Sequence, residues 1–249
     1  MCCYIAARDN MVVKESFYIG YRDIATDLTL KNSAILNMFE DIAGIHANQV
    51  GEGYRRSENT WLLTGYKVRI HKRPKYGEKV DVYTWGTEIK SITAAREFEI
   101  RNSEGELLIT GLSNWVYINL KTRKIEKVTE KTMKAYEIEP EKTNFNETKL
   151  KKLNSPENFL YKKEYTIDWN WIDVNNHMNN IFYLDLAEIV IPDEIAKQNN
   201  FSSFEIMYKK EIKYQDKINC YYAETEDGCV ITIKNEDSSE IHSIIKLYK

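Results

Sequence analysis

Apolar residues recur at helical spacing in one long segment of the first half of the chain. Within residues 29–50, TLKNSAILNMFEDIAGIHANQV, Leu36, Phe39 and Ile42 fall on one helix face, and Gly51 follows as a stop signal. Alternation of apolar and polar positions predicts strands at residues 16–21, 61–70, 79–85, 93–101 and 106–119, with a hairpin turn at 102–105. One long helix and an antiparallel meander predict an α+β fold.

The second half repeats this order of elements. Strands are predicted at residues 161–167, 205–214, 218–225, 229–234 and 241–248, and a helix at 179–191 that ends before Pro192. Between the halves, residues 140–156 form a polar stretch rich in Lys, Asn, Glu and Thr. We therefore expect an N-terminal unit of residues 1–139, a linker of residues 140–160 and a C-terminal unit of residues 161–249.

The two halves also match locally in sequence. VRIHKRPKYGEKV at residues 68–80 aligns with IMYKKEIKYQDKI at residues 206–218, so that Glu78 corresponds to Asp216. A shorter echo, FEDIA beside DLAEIV, lies in the two predicted helices. The shared order and the local match predict an internal duplication, in which each helix packs on its own sheet and the two sheets join side by side.

Composition and charge are those of a globular protein without a strongly basic surface. The chain has 249 residues and a formal net charge of -3. Its mean hydropathy is -0.54, and no apolar run approaches the ~18 residues of a membrane-spanning helix. The near-neutral balance argues against nucleic acid or an anionic membrane as a partner, because both bind through basic surfaces.

Cysteine usage indicates a reducing compartment. Cys2, Cys3, Cys220 and Cys229 form no CxxC pair, and no histidine cluster accompanies them, which argues against a zinc site. The N-terminal segment MCCYIAARDNMVVK lacks the long apolar core of a secretory signal. We therefore expect a cytoplasmic protein with reduced thiols and no metal site.

The densest cluster of chemically versatile side chains is IDVNNHMNN at residues 172–180. Asp173, Asn175 and His177 alternate just before the predicted helix, and alternation in an extended or looping segment places all three on one face. The start of a helix offers free backbone N–H groups for an oxyanion, so this cluster could hydrolyse an acyl group. Alternatively, Asp173 and Asn175 build a turn, Asn179 caps the helix and His177 is a polar neighbour.

A second candidate group is Glu211, within YKKEIKY at residues 208–214. A single Glu in a predicted strand usually faces solvent. In the register of the repeat its counterpart is Arg73, and the counterpart of the 172–180 cluster is TDLTL at residues 26–30. The sequence therefore predicts chemistry in the second half alone and leaves the first half free to hold a substrate.

These motifs resemble those of the acyl-ACP thioesterases, of the bacterial type related to the plant plastid enzymes. The family pattern D-x-N-x-H-x-N-N is matched in full at residues 173–180, and the plant-type Y-R-R-E-C resembles residues 208–212, with Ile212 in place of the Cys. The resemblance extends over residues 17–227 and includes the first-half segments 61–70, 74–85 and 113–123. It implies a tandem, or double, hotdog fold, in which each unit is a long helix wrapped by an antiparallel sheet.

The activity that this resemblance implies is hydrolysis of fatty acyl-[acyl carrier protein], which releases free fatty acid and holo-ACP and ends chain elongation without a metal or cofactor. The implied catalytic residues are Asp173, Asn175, His177 and Glu211. One carboxylate attacks or activates water, the other orients His177, and His177 passes a proton to the leaving thiolate while Asn175 positions the carbonyl or the water. Ile212 argues against an obligatory cysteine nucleophile.

The first unit of such an enzyme is expected to set the acyl chain length. Leu36, Phe39, Ile42, Trp61 and Leu63 are candidates to line an apolar tunnel, although apolar helix and strand residues more often fill the core. Docking of the acidic carrier protein would use a basic patch drawn from Arg55, Arg56, Lys67, Arg69, Lys72 and Arg73. Tandem units are compatible with a monomer or a homodimer.

Three alternatives stay open at the level of sequence. A related hotdog enzyme would hydrolyse acyl-CoA, a non-catalytic module would only bind acyl chains, and a hotdog dehydratase would act on hydroxyacyl chains without releasing a thiol. The joint presence of the four candidate catalytic residues argues against the binding module. Thiol release, and the choice between a carrier protein and CoA, distinguish the remaining readings.

Overall fold

The computed structural model describes residues 12–53, 57–196 and 201–249. Cys2, Cys3 and the rest of residues 1–11, which were expected to lack a secretory signal, lie outside these ranges. The helices of the structure are α1 (Asn32–Gln49), α2 (Glu130–Tyr136), α3 (Phe182–Val190) and α4 (Asp193–Ala196), with a short 3-10 helix at Trp169–Trp171. Its strands are β1 (Val13–Tyr18), β2 (Asn59–Ile70), β3 (Lys79–Lys90), β4 (Thr93–Asn102), β5 (Leu107–Asn119), β6 (Tyr161–Thr166), β7 (Ser203–Tyr208), β8 (Lys217–Thr225), β9 (Gly228–Asn235) and β10 (Ile241–Tyr248).

The ten strands of the described ranges form one antiparallel sheet in the order β1-β3-β4-β5-β2-β7-β10-β9-β8-β6. The two halves are joined by hydrogen bonds rather than merely packed side by side. At the junction β2 pairs with β7, with Gly65 opposite Met207 and Arg69 opposite Ser203. This pairing covers one strand edge of each half, which would otherwise present unpaired backbone groups.

The strand order is the same in both halves when it is counted from the two ends of the sheet, β1-β3-β4-β5-β2 and β6-β8-β9-β10-β7. Equivalent backbone hydrogen bonds mark the same points of the repeat. Ile19 N–H donates to Glu78 O at 2.9 Å, and Ile167 N–H donates to Asp216 O at 3.0 Å. The register in which Glu78 corresponds to Asp216 is thereby confirmed.

Helix α1 packs against β1 and β3 through the apolar stripe that its sequence spacing predicts. Leu36, Phe39 and Ile42 are fully buried, and each such burial stabilises the fold by about 1.5–3 kcal/mol. The Phe39 ring stacks on Phe98 with ring centroids 4.4 Å apart. It also lies over Gly111, where a Cβ atom would come within 2.3 Å of Phe39 Cε2, so the glycine allows the helix to approach the sheet.

The structure corrects several predicted boundaries. Helix α1 begins at Asn32 rather than at residue 29, and α3 begins at Phe182 rather than at residue 179, because a tight loop precedes each helix. Strand β7 ends at Tyr208, whereas a strand was predicted to continue to residue 214. The hydropathy pattern also misses α2, α4 and the 3-10 helix, which are too short to show a helical period.

The predicted linker contains no helix or strand, but it is fastened to the sheet. The Asn114 side chain accepts from Leu150 N–H at 2.8 Å and donates to Thr148 O at 2.7 Å. Asn144 N–H donates to the Glu97 carboxylate at 2.9 Å. The connection between the halves is therefore a held segment rather than a freely solvated one.

Close backbone approach at the junction gives a first testable prediction. A Cβ atom at Gly65 would lie 2.5 Å from Ile206 O, so Gly65→Ala forces β2 and β7 apart. We expect a loss of about 1–3 kcal/mol in the free energy of unfolding, measured by denaturant titration. Gly44→Ala is the matched control: nothing lies within 4 Å of a Cβ there, and helix propensity favours the change by about 0.5–1 kcal/mol. Equal stability of the two variants would contradict the prediction.

Candidate active site

The loop between the 3-10 helix and α3 is closed by Asp173. Its backbone N–H donates to His177 O at 2.9 Å. Its carboxylate accepts from Asn175 N–H at 2.8 Å and from the Asn175 side-chain amide at 3.1 Å. Asn176 takes the left-handed conformation at φ 63°, which Asn tolerates better than most residues. The turn that the sequence offered as one interpretation is therefore present.

The backbone N–H groups at the start of α3 are hydrogen-bonded rather than left open. Asn179 Oδ1 accepts from Ile181 N–H at 3.0 Å, which is an Asx turn ahead of the helix. The N-cap position is Ile181, whose side chain makes no cap bond, so the predicted capping role of Asn179 is wrong. Phe182 N–H and Tyr183 N–H donate to the carbonyls of Asn179 and Asn180. Because these amides already have acceptors, the oxyanion donors expected at the beginning of the helix are not free in this structure.

The turn brings His177 between two carboxylates. His177 Nδ1 lies 3.6 Å from Asp173 Oδ1, and His177 Nε2 lies 3.8 Å from Glu211 Oε1. The histidine side chain is 13% exposed, so one edge remains reachable from solvent. The three groups meet through a turn and a neighbouring loop, which is the looping form of the two that the sequence pattern left open, extended or looping.

Glu211 lies in the loop after β7 and not in a strand, because β7 ends at Tyr208. Its carboxylate forms an ion pair with Arg123, which lies in the turn after β5 at φ 58°. Arg123 belongs to the first half, so both halves contribute to this cluster. Sequence reasoning missed Arg123 because nothing in the local pattern shows which carboxylate a turn arginine reaches.

The first half contains the same loop with different side chains. Ala25 N–H donates to Thr29 O at 2.8 Å, just as Asp173 N–H donates to His177 O at 2.9 Å. Ala25 and Thr29 therefore occupy the places of Asp173 and His177. The prediction that residues 26–30 correspond to the second-half cluster in the repeat is confirmed. The loop backbone therefore forms without the acid or the imidazole.

Arg73 stands where the second half has Glu211, as the repeat register predicts. Its guanidinium donates to Leu30 O at 2.7 Å, to Asn32 Oδ1 at 2.9 Å and to Phe201 O at 3.1 Å. Burial lowers the Arg73 pKa to about 10. The group that ties the loop to the sheet in the first half is thus replaced in the second half by a carboxylate beside an imidazole.

A cavity of about 450 Å³ leads to this site, a volume within the range of small-ligand pockets. One wall is α1, and the opposite wall is formed by β2, β3, β4 and β5. Asp173, Asn175 and Asn180 stand at the cavity wall on the second-half side. Much of the remaining wall is small or apolar: Ala43, Gly44, Trp61, Ile89, Ala94 and Trp115.

The five side chains expected to line a tunnel separate into two groups. Trp61 lines the cavity. The other four are buried in the core and are not among its lining residues: Leu36, Phe39, Ile42 and Leu63. Their helical and strand spacing correctly indicated that these side chains are buried. Burial alone does not distinguish a core position from a cavity wall.

Glu40 of α1 is a cavity residue that the sequence analysis missed. Its carboxyl group lies beside the Asn180 side chain, and its Oε1 atom is buried with no hydrogen-bond partner among the described residues. Burial, together with the negative charges of Asp41 and Asp173, raises the Glu40 pKa to about 8. The signal in the sequence was an acid inside the apolar stripe of α1, aligned with Glu188 of the second helix.

The cysteines of the described residues are Cys220 and Cys229, and both are buried in strands. Burial raises the pKa of each thiol to about 12, which makes them poor nucleophiles. Ile212 is fully buried and accepts from Met178 N–H at 2.7 Å through its carbonyl oxygen. Across the described ranges, no three His, Cys, Asp or Glu side chains cluster as a metal site would require, and no helix is long and apolar enough to cross a membrane.

The expected basic patch is largely engaged in internal contacts. Lys67 pairs with Glu147, and Lys72 pairs with Glu106 at 3.2 Å. Arg69 stacks on the Phe145 ring, 5.3 Å from its centroid. Arg73 is turned inward as described above, whereas Arg55 and Arg56 lie outside the described residues.

Comparison with protein families gives matches to both halves of the chain. The model of the acyl-ACP thioesterase N-terminal domain matches residues 10–136. The model of the acyl-ACP thioesterase C-terminal domain matches residues 154–249. The two matches leave residues 137–153 between them, a range that overlaps the predicted linker of residues 140–160.

Two plant proteins are among the relatives of this chain. The chain is 24% identical over 219 residues to acyl-[acyl-carrier-protein] hydrolase FATB3, chloroplastic, of Cuphea viscosissima, which covers 83% of this chain and 53% of the relative. It is 24% identical over 240 residues to oleoyl-acyl carrier protein thioesterase 1, chloroplastic, of Arabidopsis thaliana, covering 88% and 66%. The chain therefore spans about half to two thirds of the length of these relatives.

Solved structures share the fold over the whole chain. An acyl-ACP thioesterase from Bacteroides thetaiotaomicron superposes with a TM-score of 0.86 at 21% identity, covering 98% of this chain and 99% of the other. The 12:0-ACP thioesterase from Umbellularia californica superposes with a TM-score of 0.83 at 21% identity, covering 98% of each.

The first-half loop predicts what removal of Asp173 does to the fold. Because Ala25 occupies the equivalent place, we expect Asp173→Ala to change the free energy of unfolding by about 1 kcal/mol or less. Met178→Ala serves as a positive control, since this buried side chain of the same loop is worth about 2–5 kcal/mol. Denaturant titration of both variants measures the difference. A loss at Asp173 as large as that at Met178 would mean that the acid is chiefly structural.

Proposed function

The chain belongs to the acyl-ACP thioesterase family, and from this we propose that it hydrolyses the thioester of fatty acyl-[acyl carrier protein], releasing free fatty acid and holo-ACP. The observation that carries the proposal is the placement of His177 between Asp173 and Glu211 beside a cavity bounded by α1. The two halves of the chain each match their own domain of the family. The same proposal makes acyl carrier protein the partner and the cytoplasm the compartment.

The proposal includes a tandem hotdog architecture. Residues 1–139 form the unit that holds the acyl chain, residues 140–160 the linker and residues 161–249 the unit that carries the chemistry. The identical strand order of the halves and the contact between α1 and α3 support this division. The cavity lies against α1, so the chain-binding role falls to the first unit.

In the proposed reaction the thioester carbonyl enters the cavity beside Asp173. Asp173 lines the cavity and either attacks the carbonyl or activates the water that attacks it. When water attacks, its proton passes to Asp173, the C–S bond breaks, and His177 gives a proton to the leaving thiolate and regains one from Asp173. When Asp173 itself attacks, loss of the thiol leaves an acyl-Asp173 anhydride, and water then hydrolyses this anhydride, which releases the fatty acid and returns the proton to His177. Glu211 orients His177 from the other side, and Asn175 positions the carbonyl or the water. The separations of 3.6 and 3.8 Å close to hydrogen-bond length with small side-chain rotations when a substrate is bound.

Free-thiol release from acyl-ACP, with acyl-CoA assayed in parallel, tests this function. We expect release from acyl-ACP, and a loss of about 10²–10⁴-fold in kcat for Asp173→Asn, His177→Ala and Glu211→Gln, since each removes a group that moves or orients a proton. Tyr214→Phe is the matched control, because this exposed ring near the site has no role in the proposed steps.

The outcomes separate the competing functions. Equal or faster release from acyl-CoA would assign the enzyme to CoA esters. Binding of acyl-ACP without thiol release would leave an acyl-binding module. Dehydration of a hydroxyacyl chain without thiol release would identify a dehydratase instead.

The cavity wall gives a prediction about chain length. Gly44 of α1 lines the cavity, and a Cβ atom there meets nothing within 4 Å. Gly44→Leu should therefore fill cavity volume without straining the helix and shift the preferred acyl chain to a shorter length by about two carbons or more, each buried CH₂ being worth about 0.8 kcal/mol. Gly44→Ala is the control with a smaller shift. An unchanged chain-length profile with acyl-ACP of graded lengths would mean that the acyl chain lies elsewhere.

A further inference from the structure

Glu40 links α1 of the first half to the catalytic loop of the second half. Its carboxyl group lies beside the Asn180 side chain in the cavity that both residues line. The Asn180 carbonyl accepts from Tyr208 Oη at 3.0 Å, so the same residue is also tied to β7. Glu40, Asp173 and Asn180 line one cavity, which places the acid of α1 beside the acid of the loop.

The corresponding acid of the second helix has different surroundings. Glu188 of α3 lies near Arg73 and Lys31, whose positive charges oppose the effect of its burial. The charges that act on Glu40 are those of Asp41 on its own helix and Asp173 in the loop, and Tyr66 of β2 and Tyr208 of β7 also face it. Arg96 of β4 lines the same cavity, but its guanidinium contacts His46 and Thr84. Burial and the charge of Asp185 still raise the Glu188 pKa to about 7, so the two matching acids differ in the cations near them rather than in the direction of the pKa shift.

Resting on the proposed function, we propose that Glu40 is a positioning residue of the hydrolytic site. In its protonated form Glu40 holds the Asn180 side chain and lies next to the Asp173 carboxylate. A neutral acid avoids repulsion between two carboxylates that share one cavity. Protonation also removes the charge from a carboxyl group whose buried Oε1 atom has no hydrogen-bond partner within the described ranges.

Burial and the neighbouring acids raise the Glu40 pKa to about 8, which agrees with a protonated group at neutral pH. Because the pKa of the folded state is raised, the proton is held below pH 8 and lost above it. Ionisation then sets a second negative charge against Asp173 and disturbs the loop. The activity of the wild-type enzyme should therefore have an alkaline limb near pH 8.

The test compares Glu40→Gln and Glu40→Ala with Glu188→Gln as the matched buried-acid control. Thiol release from acyl-ACP is measured from pH 6 to 9.5 for kcat and KM, with the thermal midpoint recorded for each variant. We expect Glu40→Ala to lower kcat by about 10-fold or more with KM changed less than about threefold, a loss of orientation rather than of substrate binding.

Glu40→Gln should retain kcat within about threefold at pH 7, because an amide also stays neutral and bonds to Asn180, and should lose the alkaline limb near pH 8. Glu188→Gln should keep the limb. Rescue by Gln, together with an unchanged thermal midpoint, excludes simple unfolding of the Ala variant as the cause.

Two results would overturn the proposal, and they are distinguishable. If the wild type releases thiol while Glu40→Gln keeps the alkaline limb and Glu40→Ala keeps kcat, Glu40 has no positioning role and the proposed hydrolysis stands. If the wild type itself releases no thiol from acyl-ACP or acyl-CoA, the proposed function fails and the role of Glu40 fails with it.

Discussion

The antiparallel pairing of β2 with β7 is the contact on which the candidate site depends. It makes one sheet of two five-stranded halves and brings α1 against α3. Only with the halves in this register does Glu40 of α1 share a cavity with Asp173, and does Arg123 of the first half reach Glu211. Gly65 permits this closeness, because any side chain there would meet the backbone of β7. The candidate site therefore belongs to the joined sheet rather than to either half.

The repeated loop shows which features serve the fold and which serve the site. Leu28 and Asn176 occupy the same left-handed position, at φ 64° and 63°, although this conformation is unfavourable for Leu. The architecture evidently requires the turn in both halves and tolerates strain to form it. Asp173, His177 and Glu211 have no such structural justification, since Ala25, Thr29 and Arg73 stand in their places. Their presence together is therefore better explained by chemistry than by folding.

Sequence patterns predicted the parts of this protein that depend on local periodicity. Helix α1, the antiparallel strands and the register of the repeat follow from apolar spacing that tertiary packing reinforces. The loop position of Glu211 did not follow, because a strand-like run of residues does not reveal where pairing with a neighbour ends. The core burial of Leu36, Phe39, Ile42 and Leu63, and the contacts of Glu40 and Arg123, depend on elements far apart in the chain. Periodicity has no access to such contacts.

The charges around the cavity affect both the entry of the substrate and the release of the product in the proposed reaction. A thioester is neutral, so its carbonyl can approach Asp173 and a protonated Glu40 without repulsion. The product of hydrolysis is a carboxylic acid that ionises at neutral pH and then lies beside Asp173, where like charges in a poorly solvated site repel strongly. The Asp173 carboxylate that attacks the carbonyl or activates water thus also opposes retention of the product. The wall at Asp173 is therefore suited to releasing a fatty acid, and the cation that lines this cavity, Arg96, belongs to β4 and contacts His46 and Thr84.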